Sequence, residues 1–180
     1  MSNTVSIILA GFGGQGILFS GKFLAYKGLI EGIQVSWLPS YGPEMRGGTA
    51  NCNVILSDTP VGSPIITTPD VLIAMNLPSL LKYVDTVRAG GQIYVDSSLI
   101  DAKVERDDVQ VFYIPATQMA KDAGIATLAN MIIVGHLLEN NPELSFEGAD
   151  EVVMKLVPAK KAALKELNMK ALNLGKSYNK

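Results

Sequence analysis

The chain has 180 residues, 48% of them apolar and 18% charged, which suits one domain with a sizeable core and excludes a disordered chain. A net charge of −2 excludes the basic footprint of a nucleic-acid binder, and one cysteine (Cys52) with one histidine (His136) excludes an internal disulfide and leaves no ligand set for an iron–sulfur cluster or a Cys/His zinc site. A mean hydropathy of +0.25 fits either a large core or an apolar surface that meets a partner.

The apolar, β-branched run 5–10 predicts a buried strand. Gly11-Phe12-Gly13-Gly14-Gln15-Gly16 closes it. Residues 17–30 then carry Ile17, Leu18, Leu24, Ala25 and Leu29 at helical spacing, with Gly32 as the stop. A short strand is predicted over 35–38, a loop rich in Gly and Pro over 39–48 and a third strand over 49–56, followed by turn residues 57–60. Further strands are predicted over 70–75, 92–95 and 109–114, and helices over 79–87, 118–123 and 126–138. The tail reads as helices over 149–157 and 159–175, parted by Pro158. No repeat or linker divides the chain, so 1–180 is read as a single Rossmann-like α/β domain: a mainly parallel sheet flanked by helices, with a helical C-terminal tail. The strand over 49–56 follows its predecessor with no helix between, so part of the sheet is expected to be antiparallel. No apolar run approaches the ~18 residues of a membrane span. The N-terminus has no secretory pattern, and a cytoplasmic protein is expected.

Gly11, Gly13 and Gly16 fit G-x-G-x-x-G between a strand and a helix. Glycine permits a tight turn, and the following helix points N–H groups and its positive dipole end at the turn, so phosphate or carboxylate is the expected guest. Gly14 makes the turn more permissive, and Gln15 offers a side-chain amide. A turn needed only for strand–helix packing is the alternative. NAD binding wants an acid at the end of the second strand, where Leu38-Pro39-Ser40-Tyr41 has none. The next loop carries Tyr41, Gly42, Glu44, Arg46, Gly47 and Gly48. Ligands of open α/β sheets bind outside the carboxyl ends of strands, where both loops emerge. Arg46 is a permanently charged fork for carboxylate or phosphate, with Glu44 near enough to orient it; a solvated ion pair of little worth is the alternative. Elsewhere, Cys52 and His136 read as core residues, Asn76 as a helix cap ahead of Pro78, and Asn130 as a buried hydrogen-bonding residue. Trp37 and Tyr41 read as interface anchors, and Lys160, Lys161, Lys165 and Lys170 as a solvated face.

The glycine turn together with Tyr41-Gly42-Pro43-Glu44-Met45-Arg46-Gly47-Gly48 resembles the gamma subunit of 2-oxoacid:ferredoxin oxidoreductases. The similarity continues through 51–58, 70–76, Ala129-Asn130-Met131 and the tail with Asn168 and Gly175. The variant Pro43-Glu44-Met45-Arg46-Gly47-Gly48 looks more like the 2-oxoglutarate and branched-chain types than the pyruvate type. The resemblance implies a complex that decarboxylates a 2-oxoacid on thiamine diphosphate with Mg, passes electrons through iron–sulfur clusters to ferredoxin, and transfers the acyl group to coenzyme A. Thiamine diphosphate and clusters then belong to other subunits, and this chain serves assembly and closure over coenzyme A. No catalytic residue, metal or firmly bound cofactor is assigned to it, and the chain alone is expected to be inactive. Its partners are the other subunits, with a homodimer as a further arrangement; neither nucleic acid nor membrane is expected. The competing readings are a free-standing nucleotide-binding protein and a purely structural adaptor.

Overall fold

The computed structural model describes residues 3–40 and 49–179. Its sheet has six strands: β1 (Thr4–Phe12), β2 (Gln34–Ser40), β3 (Thr49–Ser57), β4 (Val71–Ala74), β5 (Gln92–Asp96) and β6 (Gln110–Ile114), in the order β2-β3-β1-β4-β5-β6. β1, β4, β5 and β6 are parallel neighbours, while β3 is antiparallel to both β1 and β2. The direct return from β2 into β3 has this consequence: β3 inserts between β1 and β2, which run the same way. β1 therefore extends past its predicted end, because Gly11 and Phe12 pair with Ala50 and Thr49. β2 likewise runs on through Pro39 and Ser40; a proline is tolerated there because β2 is an edge strand.

The helices are α1 (Ile17–Ile30), α2 (Leu77–Tyr83), α3 (Ala116–Asp122), α4 (Ala129–Asn140), α5 (Ala149–Leu156) and α6 (Ala162–Lys176). α2 begins two residues earlier than its pattern suggests, because Asn76 caps it: Oδ1 accepts from Ser79 N at 2.8 Å. Residues predicted to continue α2 and to open α4 form single 3-10 turns, Val84–Thr86 and Ala126–Leu128. Side chains alternate along the strands, and the two sheet faces are unequal. Val5, Ile7, Leu9, Cys52, Val54 and Ile73 face the larger core, built with α1 and α3 to α6. Ile8, Ala10, Leu72, Ala74, Ile93 and Val95 face a smaller core, to which α2 contributes Leu80 and later segments Val87 and Ile100. α4 is buried from Ala129 to Leu138, the signature of a helix covered on all sides. It meets α6 through Gly135 and Gly175, where added Cβ atoms would strike Leu172 O and Ile132 O. Among the described residues no helix is long and apolar enough to cross a membrane.

Candidate functional site

β1 connects through α1 to β2 on one side and has β4 as its parallel neighbour on the other. Its carboxyl end is thus a topological switch point, where open α/β sheets place ligands. The glycine turn sits there. Gly14 (φ 94°) and Gly16 (φ 77°) adopt the left-handed region, and a Cβ at Gly16 would also come within 2.5 Å of the Asn130 amide. Gly16 caps α1 without any side-chain hydrogen bond, and no acid lies in the first helical turn, which leaves that end favourable to an anion. The other motif residues serve the scaffold. Gly11 lies within β1, where a Cβ would meet Gln15 Oε1 at 2.6 Å and Ile17 Cδ1 at 2.8 Å. The Gln15 amide is engaged at both ends: Oε1 accepts from Phe12 N at 2.6 Å, and Nε2 donates to Met75 O at 2.9 Å. Gln15 braces the turn against the end of β4. Gly13 lines a cavity beside the turn.

Tyr41, Gly42, Glu44, Arg46, Gly47 and Gly48 lie outside the described residues. Ser40 and Thr49, the described residues on either side of them, both stand at the carboxyl end of β1: Thr49 pairs with Phe12 and Ser40 with Asn51.

Two cavities flank the turn and share Gly16 and Phe19. One, of about 260 Å³, is lined by Phe12, Gly13, Gly14, Leu18 and Ala50. The other, of about 290 Å³, lies between the start of α1, α4 and α6, lined by Leu128, Asn130, Val157, Lys161, Leu164 and Asn168 among others. Asn130 is 3% exposed and Asn168 4%. Asn130 Nδ2 donates to Gly16 O at 3.1 Å and to Ser20 Oγ at 2.9 Å, and Asn168 Nδ2 donates to Leu164 O at 2.7 Å. A carbonyl only accepts, so these bonds fix both amide orientations. Both Oδ1 atoms are left buried without a partner. An unsatisfied buried acceptor costs about 1–3 kcal/mol, and both residues that carry one line the same largely apolar cavity. Asn130 is a buried hydrogen-bonding residue, as its pattern predicts. Asn168 carried a signal too: with Ala171, Leu172 and Gly175 it occupies the buried face of α6 at helical spacing, a polar residue in a core position.

The remaining candidates are structural. Burial pushes the Cys52 thiol up to about 12, so it is no nucleophile at neutral pH. His136 is buried; its Nδ1–H donates to Gly175 O at 3.0 Å, and burial holds its pKa below the ordinary value. Trp37, read as an interface anchor, is half-buried and packs on the larger core beside Gly21 and Cys52; the exposed side chain next to it is Leu38. Lys170 is not simply solvated, since its Nζ donates to Ala123 O at 2.7 Å. A polar cavity of about 280 Å³ near the amino ends of the strands includes Asp70, Arg88, Gln92 and Asn141, which pair with one another or with neighbouring strands. Among the described residues, no three of His, Cys, Asp and Glu group as a metal site would require.

The family model described as pyruvate ferredoxin/flavodoxin oxidoreductase matches residues 6–178. Subunit VorA of ketoisovalerate oxidoreductase from Methanothermobacter thermautotrophicus is 39% identical over 97% of this chain, which spans only 36% of that relative's length. Subunit KorC of 2-oxoglutarate synthase from Methanothermobacter marburgensis is 35% identical, covering 94% of each chain. Among solved structures, the keto/oxoacid ferredoxin oxidoreductase gamma subunit from Geobacter sulfurreducens superposes with a TM-score of 0.80 at 32% identity, covering 95% of both chains. The 2-oxoglutarate:ferredoxin oxidoreductase of Magnetococcus marinus, with 2-oxoglutarate, coenzyme A and succinyl-CoA bound, gives 0.86 at 27% identity over 97% of this chain and 30% of that one.

Proposed function

The chain belongs to the pyruvate ferredoxin/flavodoxin oxidoreductase family, and from that premise we propose that it is the gamma subunit of a cytoplasmic 2-oxoacid:ferredoxin oxidoreductase of the 2-oxoglutarate or branched-chain 2-oxoacid type. In this reading the chain performs no redox chemistry itself. An iron–sulfur cluster does not fit it, because its single cysteine is buried; in this reading the clusters, and thiamine diphosphate with them, belong to companion subunits. Its task is to hold coenzyme A, which receives the acyl group.

The observation that carries this reading is a largely apolar cavity that begins at the glycine turn and is lined by Asn130 and Asn168, two buried asparagines whose Oδ1 atoms have no partner. Coenzyme A has phosphates for the turn, and for the cavity an arm that carries two secondary amides and a hydroxyl between alkyl segments. The N–H groups at the start of α1 and the guanidinium of Arg46 receive phosphate, and the two asparagine oxygens accept from the amides. Asn168→Leu tests this, since it removes one acceptor while leaving an apolar side chain of similar size. In the assembled complex KM for coenzyme A should rise about three- to tenfold, the loss of one neutral hydrogen bond. KM for the 2-oxoacid should stay unchanged, and the variant chain should melt no lower than wild type. An unchanged coenzyme A KM would remove the cavity from the reading.

A further inference from the structure

Resting on that reading, we propose that the outer face of α2, with Phe12 beside it, docks the companion polypeptide that longer relatives carry on the same chain. α2 is the one helix among the described residues on the smaller core. It turns Leu80 inward, yet its outward positions include Leu77, 40% exposed, and Leu81, 64% exposed, one turn apart. Within α2 the one charged residue is Lys82, and Asp85 follows in the 3-10 turn after it. Phe12, 42% exposed, lies on the same sheet face as Ile8 and Ala10 by alternation along β1. Met75 N donates to Ala10 O, Gln15 Nε2 donates to Met75 O and Phe12 N donates to Gln15 Oε1, so β1's last residue, the glycine turn and the start of α2 are tied at one place. The apolar patch therefore adjoins the ligand turn, and Phe12 lines the cavity next to Gly13 and Gly14. Met154 and Leu29, also exposed, stand singly: Met154 lies close to Asp150, Glu151 and Lys155 on α5, and Leu29 is followed closely by Glu31 at the end of α1; Leu38, Ile65, Leu99 and Leu164 lie away from the glycine turn's link to α2. Scattered residues of that kind need no partner, whereas adjacent ones rimming a site mark an interface.

The occupant follows from the relatives. This domain makes up 36% of VorA and 30% of the Magnetococcus chain, so in both it is joined to further polypeptide roughly twice its length, while in KorC it covers 94% of the relative. A domain found both joined and separate needs a surface that holds the companion without a covalent link. An apolar face beside the turn meets that need and closes the turn's open side from water.

The test is co-production of the full chain with the companion polypeptide, followed by affinity capture and native mass spectrometry. Leu77→Asp with Leu81→Asp should weaken capture at least about tenfold, as removal of central interface anchors does. The variant chain alone should melt as wild type does, because both side chains are exposed. Leu29→Asp and Met154→Asp should capture the companion normally. A double variant that captures it at the wild-type ratio overturns the surface alone. So does one that instead splits a homodimer while companion capture is unchanged, which would make a second copy the occupant. A wild-type chain that takes up no companion overturns the functional reading and this surface with it.

Discussion

Asn130 ties the glycine turn to the helical layer, since its amide donates to Gly16 O while its oxygen is buried without a partner. On the proposed reading, one residue couples the shape of the turn to occupancy of the cavity beside it. Arg46 belongs to the same scale. The described residues on either side of its loop stand beside the turn, and a charge-assisted contact from its guanidinium to a coenzyme A phosphate or an acidic neighbour is worth about 1.5–3 kcal/mol. Arg46→Ala should therefore weaken coenzyme A affinity or assembly of the complex about ten- to a hundredfold while this domain stays folded. Unchanged assembly, turnover and coenzyme A dependence would mark it as solvated surface. The turn was legible from its glycines because backbone geometry leaves a compositional trace. The engagement of Gln15 was not, because its partners are a neighbouring backbone N–H and the carbonyl of Met75, sixty residues away.

At the scale of elements, α1 was readable to the residue, since Gly16 and Gly32 punctuate it and its apolar spacing is regular. The ends of β1 and β2 were not. A strand's length depends on its partner, and the insertion of β3 lengthens both. The contact of α4 with α6 carries a pH-dependent consequence. His136 on α4 donates to Gly175 O on α6, amid the rings of Tyr94, Phe112 and Tyr178, with Glu139 and Lys176 paired nearby at 3.9 Å. Burial is the largest influence on its imidazole and lowers its pKa from 6.5, outweighing the opposing effects of the Gly175 carbonyl and Glu139. The unfolded chain then binds the proton more readily than the folded one. The stability tied to neutral His136 is fully present above about pH 6.5 and is lost as pH falls from there through the lowered folded value. Melting curves from pH 7.5 to 5 should show wild type losing more than His136→Gln, which cannot titrate. Parallel pH slopes for the two proteins would show that other groups carry the acid sensitivity.

The whole molecule is divided by function along the strand direction and across the sheet. The amino ends of the strands are held by polar pairs such as Asp70 with Arg88 and Gln92 with Gln110. The carboxyl end of β1 carries the glycine turn, both flanking cavities and Phe12. Across the sheet, among the described residues, one face is covered by five helices and the other by α2 with later segments, and α2 exposes Leu77 and Leu81 on its outer side. On the proposed reading a domain so arranged supplies half of a site: it offers a surface for a ligand, while Cys52 is an inert thiol and His136 is enclosed in the core. The purified chain should accordingly oxidise no 2-oxoacid with any artificial acceptor, even with thiamine diphosphate and coenzyme A added, and should show no micromolar affinity for NAD by titration calorimetry, since β2 ends in Leu38-Pro39-Ser40 without an acid. Adding the companion polypeptide should restore turnover at a rate that saturates with this chain. Steady turnover by the chain alone, or tight NAD binding, would make it a free-standing enzyme whose reacting groups must then be sought among residues 41–48.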